Sequence, residues 1–124
     1  MANLVKSYDD YAQKTSEPRE LEAQLLMRAA AKLQAVKKGM ITEMADVISV
    51  LRYNRRLWLF FADSVSRPDN RLPTEIKNNV TKLAFFIINH SMTLETATEP
   101  KPDEVDALIN INCQIAAGLR AEAA

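Results

Sequence analysis

Residues 50–61 hold the chain's densest mixture of side chains that form specific polar contacts. Three arginines, one asparagine and the only tryptophan lie there: Arg52, Arg55, Arg56, Asn54 and Trp58. At helical spacing Asn54 and Trp58 fall on one otherwise apolar face, and the arginines occupy its flanks. The flanks are open to three interpretations, which are a solvated surface, a contact surface for an acidic or amphipathic partner, and contacts with an RNA backbone.

Two asparagines interrupt apolar stripes. Asn54 lies on the stripe of the second predicted helix and Asn112 on that of the last. One interpretation is a buried amide bonded to a neighbouring helix end or to water, which fixes the register of the helices. The other places one or both at a groove for a partner. We expect both to be mainly structural, as we do Trp58, which should lie in the core.

The remaining reactive side chains do not form a catalytic or metal-binding pattern. His90 and Cys113 are single, so there are too few soft ligands for zinc and there is no pair for an internal disulfide. His90 is expected to be a satisfied or half-exposed core residue, and Cys113 a small buried apolar one. No nucleophile with its base, Gly-rich phosphate loop or carboxylate pair is present. The sequence therefore predicts a protein that is not an enzyme and has no cofactor.

The apolar run at residues 83–88 is wider than one helix face. Such a segment is either central in its domain or presents a second apolar face to something else. In the second case Phe85, Phe86 and Ile88 would form a groove surface for a partner helix, and they join the three arginines as candidate partner-binding residues.

Hydrophobic periodicity and the positions of capping, Gly and Pro residues predict an all-α fold. We expect one domain of four helices, which is a four-helix bundle or a close relative. Residues 1–15 are interpreted as an N-terminal arm or short helix, and residues 16–124 as the helical domain. The helices are expected at about 17–38, 42–66, 73–94 and 103–119. Gly39 should end the first helix. Thr42 should cap the second helix and Pro68 should end it, and Asp103 should cap the fourth helix.

Charge and hydropathy limit the ligands and the cellular location that we expect. Lys plus Arg number 16 and Asp plus Glu number 16, and a balanced charge argues against direct nucleic-acid binding. The N-terminus has no apolar segment of signal-peptide length, and the longest apolar run is far short of the roughly 20 residues that span a bilayer. We expect a cytoplasmic protein without membrane insertion.

Several short segments are shared with a known family. They are residues 16–22 (Ser-Glu-Pro-Arg-Glu-Leu-Glu), 54–58 (Asn-Arg-Arg-Leu-Trp), 70–73 (Asn-Arg-Leu-Pro) and 108–112 (Leu-Ile-Asn-Ile-Asn), followed by Gly118 and Leu119. Over residues 8–119 the chain resembles the FlaF family of alphaproteobacterial flagellar systems. Cys113 departs from the pattern, because a basic residue is expected after the asparagine.

The resemblance implies a flagellar assembly factor that binds flagellin and promotes its synthesis and secretion, as a chaperone-like export factor. The alternative is a post-transcriptional regulator of flagellin expression that acts with FlbT. Flagellin is the implied partner, and FlbT is left open as a second one. Within the shared segments Asn54, Trp58, Asn112 and Gly118 are taken as the structural motif.

Overall fold

A computed structural model describes residues 18–123, and the predicted arm at residues 1–15 lies outside this range. The described residues form four helices and no strand: α1 (Pro18–Lys37), α2 (Met44–Ser66), α3 (Thr74–Glu95) and α4 (Asp106–Ala123). A 3₁₀ turn at Pro102–Val105 leads into α4. The predicted all-α, bundle-like fold is confirmed.

Most helix boundaries follow the predicted signals. Gly39 has a φ of 78° directly after α1, the left-handed conformation that glycine adopts without strain. The second helix ends at Ser66, two residues before Pro68, because the residue preceding a proline disfavours helical geometry.

Two predicted caps are wrong. Glu43, rather than Thr42, occupies the N-cap of α2, and it makes no side-chain capping bond. Asp103 lies within the 3₁₀ turn, so α4 begins three residues later than its acidic signal suggested. Acidic side chains favour the start of a 3₁₀ turn and of an α-helix alike, so the sequence signal did not separate them.

The helices pack as two pairs. The first helix packs chiefly on α4, α2 packs chiefly on α3, and contact between α1 and α2 joins the pairs, while α3 and α4 have few contacts with each other. The shared core is aliphatic except for one tryptophan and two phenylalanines on α2, and its most deeply buried members are Leu26, Leu33, Leu51, Leu57, Trp58, Ile87 and Leu108. The weak contact between α3 and α4 makes the fold a relative of a regular four-helix bundle.

Ion pairs at the surface fasten the first pair of helices near both ends. Lys37 pairs with Asp106 where α1 ends and α4 begins. Arg120 Nε lies 3.1 Å from Glu20 Oε2 where α1 begins. The Arg120 hydrogen bond lowers the pKa of Glu20 against the opposing effect of burial. Such exposed pairs contribute little to stability, so the core holds the helices together.

Candidate functional site

A buried hydrogen-bond network joins α1, α2 and α4. The indole Nε1–H of Trp58 donates to Asn112 Oδ1 over 2.8 Å. Asn112 Nδ2 donates to Asn54 Oδ1 over 2.7 Å and to the backbone carbonyl of Leu26 over 3.2 Å. All three side chains are completely buried. One amide therefore connects three helices, as the structural interpretation of the asparagines requires.

The indole determines the direction of every bond in this network. An indole N–H only donates, so Asn112 must turn its carbonyl oxygen toward Trp58 and its amide nitrogen toward Asn54. Asn54 must then present its own oxygen. Its Nδ2 is left buried with no hydrogen-bond acceptor among the described residues. The oxygen and the nitrogen of the Asn112 amide are thus both hydrogen-bonded, whereas the amide nitrogen of Asn54 has no acceptor among the described residues.

A second polar cluster links α2 to α3. Arg55 binds the Glu95 carboxylate through two bonds, Nε to Oε2 over 2.8 Å and Nη2 to Oε1 over 3.1 Å. Ser91 Oγ also donates to Glu95 Oε2, over 2.9 Å, and it lies within 3.2 Å of the Leu51 carbonyl oxygen. Arg52 approaches the same carboxylate more loosely, at 3.6 Å.

This cluster shifts the pKa values of both partners in the direction that favours the ion pair. Burial alone would raise the pKa of the Glu95 carboxyl, but hydrogen bonds from Arg55 and Ser91 outweigh it and lower that pKa. The hydrogen bond to Glu95 raises the pKa of Arg55. Arg55 therefore already has an intramolecular partner, whereas Arg56 is exposed and has no carboxylate partner within residues 18–123.

The three apolar candidates on α3 do not share one surface. Phe85 is 68% exposed and Phe86 is 45% exposed, but consecutive helical residues point about 100° apart. Phe86 stacks on His90 with ring centroids 5.3 Å apart, and His90 Nε2 lies 2.7 Å from the Glu104 carbonyl oxygen. Phe86 therefore lies on the side of α3 that carries the contact with the 3₁₀ turn before α4.

Phe85 belongs to a different group of side chains. With Ile88 and Met92 it follows the spacing of one helix side, and Met92 is one turn before Glu95, which binds α2. On α2, Leu59 lies one turn after Arg55 and on the same flank. Met92 is 51% exposed, Leu59 is 45% exposed, and Ile88 is half-buried against the core. We call Leu59, Phe85, Ile88 and Met92 the apolar ridge.

Sequence reasoning missed several members of these groups. Met92 could have been found, because it lies seven residues after Phe85 on the same helix side. Leu59 gave no such signal, since a leucine beside a tryptophan in an apolar stretch is usually core. Glu95 and Ser91 depend on a contact with a residue 40 positions away, and no local pattern encodes it.

The other residues singled out in the sequence have ordinary surroundings. Cys113 is half-buried with a free thiol. Gly118 lies in α4, and a Cβ built there would meet no atom within 4 Å, so nothing in the described structure requires glycine. The described residues contain no group of three or more metal-ligating side chains. Between residues 18 and 123 no helix has the length and hydropathy to cross a membrane.

The sequence profile described as flagellar protein FlaF matches residues 4–119. The chain belongs to the FlaF family. Its role is therefore flagellar, and the family is not one of enzymes. Searches of curated proteins and of solved structures gave no match.

Within this FlaF chain, the segment at residues 54–58 is divided between the interior and the surface. Asn54 and Trp58 belong to the buried network, Arg55 holds α3 through Glu95, and Arg56 faces solvent. Most of the segment therefore positions helices, and within the structure of residues 18–123 Arg56 alone of these side chains is exposed to solvent.

Proposed function

We propose that this protein binds flagellin and acts as a chaperone-like factor in its synthesis and export. The observation that supports the proposal best is the apolar ridge, because Phe85, Met92 and Leu59 are large apolar side chains with about half or more of their surface in water. A cluster of this kind on a small helical domain is typical of a surface that receives an amphipathic helix.

The location of the ridge suits such a partner. It follows the seam between two helices that are themselves fixed by the Arg55–Glu95 pair and by Ser91, so the surface is held rigid before a partner arrives. Flagellin's terminal segments are amphipathic helices in the filament. A subunit awaiting export has to keep their apolar faces from associating, and the ridge offers them a surface.

The test is a calorimetric titration of the full-length protein with flagellin monomer. Phe85→Asp places a charge in the ridge, and we expect it to weaken flagellin binding at least about tenfold, which corresponds to about 1.4 kcal/mol. Phe86→Asp is the matched control, since it makes the same change on the same helix but on the side that contacts the 3₁₀ turn before α4. Equal loss in both variants, with both folded, would assign the contact to a wider surface than the ridge.

The same preparation distinguishes the regulatory alternative. Capture of an amphipathic helix depends mainly on apolar burial, so flagellin binding should persist when salt is added. Binding to the flagellin leader RNA would rest on phosphate contacts and weaken steeply with salt. Tight, salt-sensitive RNA binding without any flagellin signal would replace the chaperone proposal with direct post-transcriptional regulation.

A further inference from the structure

A second surface, on the outer face of α2 and the adjoining side of α1, carries cations with no close acidic partner, or only a loose one, among residues 18–123. Arg28 and Arg56 are exposed, and neither has a carboxylate partner in the described part of the chain. Lys32 Nζ lies 4.1 Å from the centre of the Tyr53 ring and likewise has no acidic partner there. Arg52 has only its loose approach to Glu95, which already binds Arg55. We call Arg28, Lys32, Arg52 and Arg56, with Tyr53 among them, the basic strip.

Helix geometry brings these side chains together. The contact between Lys32 and Tyr53 fixes the level at which α1 and α2 meet on this side. Arg28 is one turn before Lys32, and Arg56 is one turn after Tyr53. Because the two helices are consecutive and antiparallel, those turns lie at the same level, and the two arginines flank one stretch of surface.

Beside Tyr53, the outer face of α2 has a shallow depression. This depression of about 300 Å³ is lined by Arg52, Tyr53 and Arg56 together with Ala45, Ile48 and Ser49. No carboxylate from the described part of the chain lines it. The zero net charge of the chain therefore hides a local excess of arginines around Tyr53, although Glu43 and Asp46 line the adjoining depression together with Lys32.

We propose that the basic strip is a second docking surface, which binds an acidic amphipathic helix of a protein partner. The carboxylates of such a helix would pair with Arg28, Lys32 and Arg56, and its small apolar side chains would lie on Ala45 and Ile48. Like charges held side by side raise the energy of the free protein, and a ligand of opposite charge relieves that repulsion. The inference does not depend on flagellin binding to the ridge.

The chemistry of the strip favours a helix over a nucleic acid. Single-stranded nucleic acid bound without sequence preference needs aromatic faces on which bases stack. Tyr53 is the only aromatic residue among those lining the depression, and one face of its ring is covered by the Lys32 ammonium. Ala45 and Ile48 offer apolar contact that suits leucine or alanine side chains of a helix and gives nothing to a phosphate chain.

The experiment uses two designed amphipathic peptides of about 18 residues, which is about five helical turns. They share their leucine and alanine positions, and one carries glutamates along its flanks where the other carries lysines. Each is titrated into the full-length protein, and binding is followed by calorimetry and by amide chemical shifts. We expect the glutamate peptide alone to bind, with shifts concentrated on residues 45–56 and on the α2-facing side of α1.

The decisive variant is Arg28→Glu combined with Arg56→Glu, because neither arginine has a carboxylate partner to lose among residues 18–123. It should weaken binding of the glutamate peptide by about tenfold or more at low salt. Arg71→Glu combined with Lys82→Glu is the control, since it makes the same change in net charge at exposed positions outside the strip. That control should bind as the unaltered protein does.

Three results would overturn the inference. Equal binding of the lysine and glutamate peptides would show that the strip does not select charge, and equal weakening in the two charge-reversal variants would show that only net charge matters. Tighter binding of a single-stranded RNA of about 16 nucleotides than of the glutamate peptide would assign the face to nucleic acid. In all three cases the Phe85→Asp comparison still tests the flagellin proposal separately.

Discussion

The inner face of α2 and the outer side of α3 depart from the usual placement of side chains in opposite directions. On α2, Asn54 and Trp58 are completely buried together with Asn112 of α4, where apolar groups are usual. On α3, Phe85 and Met92 are largely exposed, where polar groups are usual. The core network therefore keeps polar groups away from water, whereas the outer side of α3 leaves apolar groups in contact with water.

The two departures differ in whether the chain itself explains them. The buried amides are matched with one another and with Leu26, so their partners lie within the fold and their role is to position helices. The exposed apolar side chains have no such complement among residues 18–123. Buried amides and exposed apolar side chains are each costly in isolation. We therefore interpret the buried amides as serving the fold and the exposed apolar side chains as serving a partner.

The largest expected effect is at Trp58. Trp58→Ala removes the largest buried side chain and leaves a cavity, which typically costs about 3–5 kcal/mol of a total stability of about 5–15 kcal/mol. Thermal unfolding followed by circular dichroism should show a marginal or unfolded protein. Trp58→Phe is the control, since it keeps most of the volume and leaves only Asn112 Oδ1 without its donor. A melt of Trp58→Ala near that of the unaltered protein would contradict the core assignment.

The two asparagines should be unequal. Asn112→Ala leaves the Trp58 N–H and Asn54 Oδ1 without partners, at about 1–3 kcal/mol for each buried group. Asn54→Ala removes the acceptor Oδ1, but it also removes the buried donor Nδ2, which has no partner among the described residues. It should therefore lower the free energy of unfolding by less than Asn112→Ala does. Urea unfolding of both variants measures the difference. Equal costs, or a larger cost at Asn54, would show that the direction of the network is not the one set by the indole.

A smaller effect is expected at Glu95, and it depends on pH. Because the folded protein lowers the pKa of Glu95 below its unfolded value of about 4.3, the ion pair stabilises the fold above that pH and is lost as the pH falls through the lower folded pKa. Glu95→Gln should cost about 1.5–3 kcal/mol at pH 7 and much less at pH 3.

Denaturant unfolding of the Glu95→Gln protein at the two pH values measures this contribution. Glu20→Gln is the control, because Glu20 has a lowered pKa but is paired with Arg120 at the surface, where solvent screens the interaction. If Glu95→Gln costs as much at pH 3 as at pH 7, the carboxylate charge does not hold α2 to α3.

The smallest effect on stability should come from the apolar ridge. Replacing Phe85 and Met92 together by serine should change the free energy of unfolding by no more than about 0.5 kcal/mol for each site, because neither side chain is packed inside the protein. Thermal melts measure the change. A destabilisation as large as that of Asn112→Ala would mean that the ridge is covered by the chain itself, and the contrast between the two regions would disappear.

Much of the interior could be predicted from the sequence, because periodicity is a local property. The stripe of Leu26, Ala29, Leu33 and Val36 is buried as expected, and Trp58 lies on the apolar face assigned to it. The left-handed Gly39 was also encoded locally, since a glycine after two lysines is a helix-end signal.

The surface was less predictable, because exposure depends on how helices are arranged in space. Helical spacing separates Phe85 from Phe86, but the run at residues 83–88 gave no indication of which neighbour each would lie toward until the contacts of α3 were known. Arg55 looked as available as Arg56, and only the contact with Glu95 separates them. The basic strip was hidden for the same reason, since a net charge of zero says nothing about where the charges lie.

The single amide at the centre of the core also has a consequence for the order of synthesis. Asn112 lies 54 residues after Trp58 and 86 residues after Leu26, yet it supplies the bonds that unite their helices. While the chain emerges from the ribosome, α2 and α3 can pair early. The N–H of Trp58 and the oxygen of Asn54 gain their partner only when α4 has been synthesised. The buried network therefore closes only after residue 112 has been synthesised.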